Sequence, residues 1–193
     1  MGHIERKIRE KENLRAAMLD AAIQIAREEG WPSLTIRKIA DRIEYTPPIV
    51  YEFFENKEAL IRELVLTGFR KLRQDYDIIF QEEADPKKQM RRISIEFWNF
   101  AFENAELYQL MFSLERPTPN DEIRATVELI RGMFLKMAGG NAELSDNLMF
   151  NWMCLQNGTI STVLNLGAEK FKEKGADPYE MFLSFIDRFL NSI

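Results

Sequence analysis

The side chains of this 193-residue chain that could do chemistry near its amino terminus are cations in two groups. Arg6, Lys7, Arg9 and Lys11 crowd one short stretch, and Arg37, Lys38 and Lys57 flank residues 46–51. Lysine and arginine hold nucleic acid by neutralising backbone phosphate and releasing its counterions. Over residues 1–60 ten basic side chains meet eleven acidic ones, and the whole chain carries −5, which argues against indiscriminate polyanion binding. Placement must therefore decide, because cations mixed with carboxylates on a helix are ordinarily a solvated face.

Other chemistry is hard to assemble. The one histidine is His3 and the one cysteine is Cys154, so no Ser-His-Asp, Cys-His or zinc constellation and no internal disulfide can form. Cys154 stands in the apolar run Phe150-Asn151-Trp152-Met153-Cys154-Leu155 and reads as a small buried side chain. There is no glycine-rich phosphate loop. Carboxylates come in surface-like mixtures such as Gln81-Glu82-Glu83. The expectation is no catalytic residue, no metal and no cofactor. No apolar run reaches the roughly 18 residues of a membrane span, and charges stand where a signal peptide would be apolar, so a cytoplasmic location is expected.

The elements that must position the cations are short helices. Ile36, Ile39, Ala40 and Ile43 follow the i, i+3, i+4, i+7 spacing of one helical face, with Thr35 as N-cap. Thr46 as a hydroxyl N-cap, followed by Pro47, predicts a second helix, because proline at the first position loses no needed N–H. Ile49, Val50, Phe53 and Phe54 form its inner side, Asn56 can cap the next helix, and Lys57 opens it. Two helices across a joint of a few residues make a helix-turn-helix whose second helix fits a DNA major groove. The joint is Ile43-Glu44-Tyr45, where a non-glycine residue at positive φ would be strained.

Thr35, Ile39-Ala40, Thr46, Tyr51, Phe54, Lys57-Glu58 and Leu60, preceded by Ala21-Ala22-Ile23, Ala26 and Gly30, resemble the amino-terminal signature of the tetracycline-repressor (TetR) family over residues 14–64. The chain departs from it at the joint, which lacks the usual small residue and glycine, and at Pro48, where glycine is common. The resemblance implies that Thr35, Thr46, Tyr51 and Lys57 hold phosphates. Arg37, Tyr45, Pro47, Pro48 and Ile49 then lie nearest the base edges, with Lys38 beside them. It also implies a helix-turn-helix domain over residues 1–56 and an effector-binding and dimerisation domain over 57–193, joined by a helix that starts at Lys57.

From Pro86 onward the pattern remains helical. Helices are expected over residues 86–102, 106–112, from Asn120 or Asp121 to 137, 144–168 and 178–190, with Pro117-Thr118-Pro119 breaking the chain. The fold class is all-α, about nine helices. Phe97, Trp98, Ala101, Tyr108, Met111, Phe112, Phe134, Met137, Trp152 and Met153 exceed what a thin bundle needs, and half of them would serve as plain core. The resemblance tips the group toward an apolar effector pocket, with Gln109, Asn157 and Asn99 to orient a ligand. Trp152 with Asn157-Gly158 also resembles a subset of such ligand domains, although Gln156-Asn157 stands where that subset has histidine. Ile160, Val163, Leu164, Phe182, Phe185, Ile186 and Phe189 correspond to the family's dimer-forming helix pair. The expected partners are operator DNA, a second copy and a small molecule. A helical adaptor that binds only protein, or an enzyme, is the alternative.

Overall fold

Local capping chemistry sets most of the helix starts. In the computed structural model, which describes residues 2–113 and 120–193, Asp85 accepts from the amides of Lys87 and Lys88, Asn120 from Ile123, Asn141 from Leu144, and Asp177 from Tyr179 and Glu180. The helices are α1 (His3–Glu29), α2 (Ile36–Arg42), α3 (Pro47–Tyr51), α4 (Lys57–Glu82), α5 (Pro86–Glu103), α6 (Ala105–Phe112), α7 (Asp121–Met137), α8 (Ala142–Leu166), α9 (Ala168–Lys172) and α10 (Pro178–Asn191). A single 3-10 turn, Trp31–Ser33, follows α1, and no strand occurs among the described residues. Pro117, Thr118 and Pro119, expected to break the chain, lie outside them.

The basic amino-terminal stretch is part of the first helix, which runs back to His3. One detail differs from the sequence reading. The helix expected to reach Ala168 stops at Leu166, because Gly167 sits at φ 83 and its amide turns back to Val163. The short α9 beyond it carries Phe171 as its one large apolar side chain, too little to announce a helix by periodicity.

Packing divides the chain into two units, residues 2–67 with 109–113 and residues 68–108 with 120–193, so the division falls inside α4 and again inside α6. In the first unit Met18, Ala22, Ile39, Ala40, Val50, Leu60 and Leu64 are all fully buried. Burying one such branched side chain contributes about 1.5–3 kcal/mol. Arg15 pairs with Glu63 at 2.9 Å and lies over the Phe54 ring, which ties α1 to the start of α4. In the second unit α8 packs on α5, α7 and α10. Arg70 of α4 makes a bidentate pair with Glu122 of α7, and Lys71 reaches Asn104.

Candidate nucleic-acid interface and effector core

The helix-turn-helix is assembled from α2, the joint and α3. Thr35 caps α2 by accepting from the Lys38 amide at 3.2 Å, as its type and place imply. Past Arg42 the Tyr45 amide donates to the Ala40 carbonyl at 2.9 Å and the Glu44 amide to the Asp41 carbonyl at 3.3 Å, with Glu44 at φ 60. Those two bonds are the Schellman pattern, whose left-handed residue is usually glycine. Here glutamate holds it, so the joint forms without the glycine at a cost of about 1–2 kcal/mol.

Thr46 takes the N-cap position of α3, but its hydroxyl makes no cap hydrogen bond. Pro47 and Pro48 have no N–H to offer, and the Ile49 amide is already bonded to the Thr46 carbonyl at 3.0 Å. The expected hydroxyl cap is therefore absent, and the side chain stays exposed. Val50 and Phe54 anchor α3 from within. Outside stand Tyr45 and Tyr51, each about half exposed, with Pro48; Pro47, Ile49 and Lys57 are half-buried at the edges.

The cations of α2 are unequal. Arg37 projects into solvent, 3.9 Å from Asp41. Lys38 is held by Glu29 of α1, and Arg42 grips Glu28, whose carboxyl it keeps below the usual range. Asn56 caps α4 by accepting from Ala59 at 2.8 Å, which seats Lys57 at that helix's first position. A groove of about 740 Å³ runs between α1 and α3, lined by Leu14, Ala17, Tyr45, Ile49 and Phe53, with Lys11 over the Phe53 ring.

The residues expected to line an effector pocket pack against each other in separate clusters. Trp98 stacks on Phe102, Tyr179 and Phe182, with the Phe182 ring 4.7 Å away; Phe97 meets Tyr108 edge-on at 5.8 Å; and Phe134 meets Trp152 at 5.5 Å. Ala101 is fully buried, while Met137 and Met153 are half-buried. The Trp152 indole donates to Ser94 Oγ at 2.9 Å. Tyr108 Oη meets Asn157 Oδ1 and Ser161 Oγ, each at 3.1 Å, and burial raises its phenol pKa. Gln109, expected to orient a ligand, is exposed, and Gln109, Met111 and Phe112 group with the first unit. A cleft of about 510 Å³ lies instead between α4 and α5, lined by polar side chains including Asp75, Glu96, Asn99 and Glu103.

Two further readings change. Cys154 is exposed, because the buried row of α8 is Ser145, Leu148, Trp152, Gln156, Ile160 and Val163, and position 154 falls on the opposite face. Ile160, Val163, Phe182 and Ile186, expected at a dimer interface, are buried within the protomer. On α10 the row Pro178, Phe182, Ile186, Leu190 turns inward. The adjacent row of Met181, Phe185 and Phe189 is left half-exposed, as is Leu164 of α8. Met181 and Phe185 line a shallow groove of about 210 Å³ with Thr159, Thr162 and Phe171. Gln156 was legible only as a departure from a pattern; its spacing from Trp152 and Ile160 is the signal that puts it inside. Among the described residues no helix is long and apolar enough to cross a membrane, and no acidic, histidine and cysteine group could hold a metal ion.

A family model described as bacterial regulatory proteins, tetR family, matches residues 18–64, the span of α1 to α4 that holds the helix-turn-helix. The HTH-type transcriptional regulator BetI of Rhizobium meliloti (strain 1021) is 26% identical over 102 residues, 51% of this chain and 50% of the relative, so the chain spans about half of that protein's length. A TetR-family transcriptional regulator from Bordetella parapertussis 12822 superposes with a TM-score of 0.66 at 19% identity, covering 93% of this chain and 95% of that one. The transcriptional regulator FadR from Bacillus subtilis, solved in complex with stearoyl-CoA, superposes with a TM-score of 0.67 at 17% identity, covering 92% and 98%. Residues 18–64 thus match the tetR family of bacterial regulatory proteins, and the all-helical fold of the chain is one that solved TetR-family regulators share.

Proposed function

We propose that this protein is a ligand-responsive transcriptional repressor that binds a pseudo-palindromic operator as a homodimer and is released by a small apolar or amphipathic effector. The observation that carries the reading is the head itself. A short helix is anchored by Val50 and Phe54, while Tyr45, Thr46, Pro48 and Tyr51 are exposed around it. Thr35, Thr46, Tyr51 and Lys57 hold phosphates and fix the register. Arg37, Tyr45, Pro47, Pro48 and Ile49 lie toward the base edges, where proline and isoleucine suit thymine methyls. Lys38, already held by Glu29, contributes less. Residues 1–56 read DNA and residues 57–193 bind effector and partner.

The effector acts through α4. That helix opens at Lys57 and runs without a break to Glu82. Its later turns are fastened to α7 through Arg70 and Glu122 and to α5 through Glu82 and Arg92. A ligand that separates α5, α7 and α8 therefore pulls on the helix that carries Lys57. A hundredfold loss of operator affinity needs about 2.7 kcal/mol of differential binding, and operator must weaken the ligand by the same factor. The dimer forms through Leu164, Phe185 and Phe189, joined by Met181, the apolar row that the protomer leaves half-exposed. FadR in its complex with stearoyl-CoA supports an amphipathic ligand for this fold.

The test is selection from an inverted-repeat DNA library. Two recognition helices of a two-fold dimer meet successive major grooves about 34 to 36 Å apart. The reading expects one enriched palindrome whose affinity collapses when half a helical turn is inserted between its halves. No enrichment, or indifference to the insertion, refutes it.

A further inference from the structure

Ile4 and Ile8 stand one turn apart on α1 and are 74% and 54% exposed. They belong to the row Ile4, Ile8, Lys11, Arg15, Met18 and Ala22, whose alternating steps of four and three residues keep it on one face of the helix. Farther along, that face is the packed one: Met18 and Ala22 are fully buried, Arg15 lies over the Phe54 ring and Lys11 over the Phe53 ring. Before Lys11 the same face carries its two isoleucines into solvent. The groove of about 740 Å³ between α1 and α3 is the converse, with apolar walls from Leu14, Ala17, Ile43, Ile49 and Phe53 and with Glu52 at its edge. A stripe cannot enter the groove of its own copy, because α1 is unbroken from His3 to Glu29 and Leu14 lies about 15 Å along that helix from Ile4. Charge matches too. Lys7 beside the stripe and Glu52 beside the groove are exposed, and neither forms an ion pair among the described residues.

We infer that the Ile4 and Ile8 stripe of one copy docks in the α1–α3 groove of a second copy, with Lys7 of one facing Glu52 of the other. Stripe and groove lie on one helix, so a two-fold axis satisfies both ends at once and the contact closes as a pair. The contact is small, hence weak in dilute solution and formed where copies are crowded or already joined. Tyr45 and Ile49 line the same groove, and the DNA-binding reading above sets them toward the base edges. On that reading, on which this last step rests, a docked stripe covers part of the DNA face. Head pairing and operator binding then compete, and copies away from DNA mask each other's heads.

The test is a disulfide trap in the full-length chain, with Cys154→Ser removing its one native thiol. Ile8→Cys and Ala17→Cys, both at exposed positions, are made singly and together. A straight helix cannot bridge its own residues 8 and 17, so every bond joins two chains and is read on a non-reducing gel. The double variant is expected to link at least about tenfold faster than either single variant, because docking raises the local concentration of the two thiols. Adding Lys7→Glu should slow the linking about fivefold, and adding Glu52→Lys to that should restore it, as a direct charge pair requires. Excess duplex enriched in the selection above should slow it as well. A double variant no faster than the single ones, Ile8→Cys alone linking as fast as the pair, or a charge swap that fails to rescue overturns the docking. Linking that operator leaves unchanged or speeds up overturns the competition and assigns the stripe to contacts compatible with DNA. The linking and the charge swap are measured without DNA, so they decide the docking even if no duplex is enriched.

Discussion

The Tyr45 amide closes the helix-turn-helix joint on the Ala40 carbonyl at 2.9 Å, and does so with Glu44 in the left-handed region at φ 60. Glutamate pays for a conformation that glycine adopts freely. Glu44→Gly is therefore expected to stabilise the protein by about 0.5–1 kcal/mol, part of the strain being offset by the greater freedom of glycine in the unfolded chain. Urea unfolding measures it. A destabilised variant would mean that the exposed carboxylate makes interactions worth more than the strain.

Lys57 sits at the first position of α4 beside the cap from Asn56. As a phosphate contact its loss should be blind to sequence. Lys57→Ala is expected to weaken operator and scrambled duplexes by similar factors and to lower the slope of log affinity against log salt by about 0.9. Selective loss at one base pair would place the lysine at a base edge.

Phe182 and Phe185 stand three residues apart on α10 and have different fates. Phe182 is fully buried against Trp98, so Phe182→Ala should cost about 3–5 kcal/mol and leave little folded protein. Phe185→Glu with Phe189→Glu changes the half-exposed row and should give folded monomers with an unchanged circular-dichroism spectrum. Light scattering that still reports a dimer for the double variant would move the interface to another face.

The Arg70 and Glu122 pair joins α4 to α7 with both side chains nearly half exposed. Its removal by Arg70→Ala should change stability by less than about 1 kcal/mol. The same change should uncouple effector from operator, leaving ligand binding intact while the ligand no longer displaces DNA. Full displacement in the variant would assign the coupling to other contacts.

Tyr76 is 3% exposed, and burial, with the nearby charges of Asp75 and Glu96, raises its phenol far above the ordinary 10.0. A phenol that holds its proton more tightly when folded contributes stability fully present below the unfolded value, which is lost as pH climbs above about 10. Tyr108 shifts in the same direction, chiefly through burial. Stability in urea should fall steeply between about pH 10 and 11, and Tyr76→Phe should flatten that fall. An unchanged alkaline slope would show that other groups carry it.

What could be read without coordinates was mostly local. Thr35, Asn56, Asp85, Asn120 and Asp177 each act on amides two or three residues away, so their spacing alone announces helix starts. The helix-turn-helix was legible for the same reason, down to the strained residue of its joint. The body resisted because α8 and α10 are apolar on more than one side. Which row of α10 turns inward depends on Trp98, some eighty residues earlier, so Phe182 and Phe185 could not be told apart. Cys154 was misplaced by its apolar neighbours, when its phase relative to Trp152 decides the matter.

The proline pair that opens α3 has a consequence for how an operator is found. A helix start normally offers several free amides and a partial positive charge to any phosphate, regardless of sequence. Pro47 and Pro48 delete two of those donors, in a chain that is already net acidic. On the proposed reading such a head would hold random DNA more weakly than one with free amides there, and a genome is mostly random DNA competing for few copies of a regulator. Short stays at wrong sites leave more molecules in transit. Occupancy of the right site is then governed by contrast rather than by grip, and a modest copy number suffices to keep it filled.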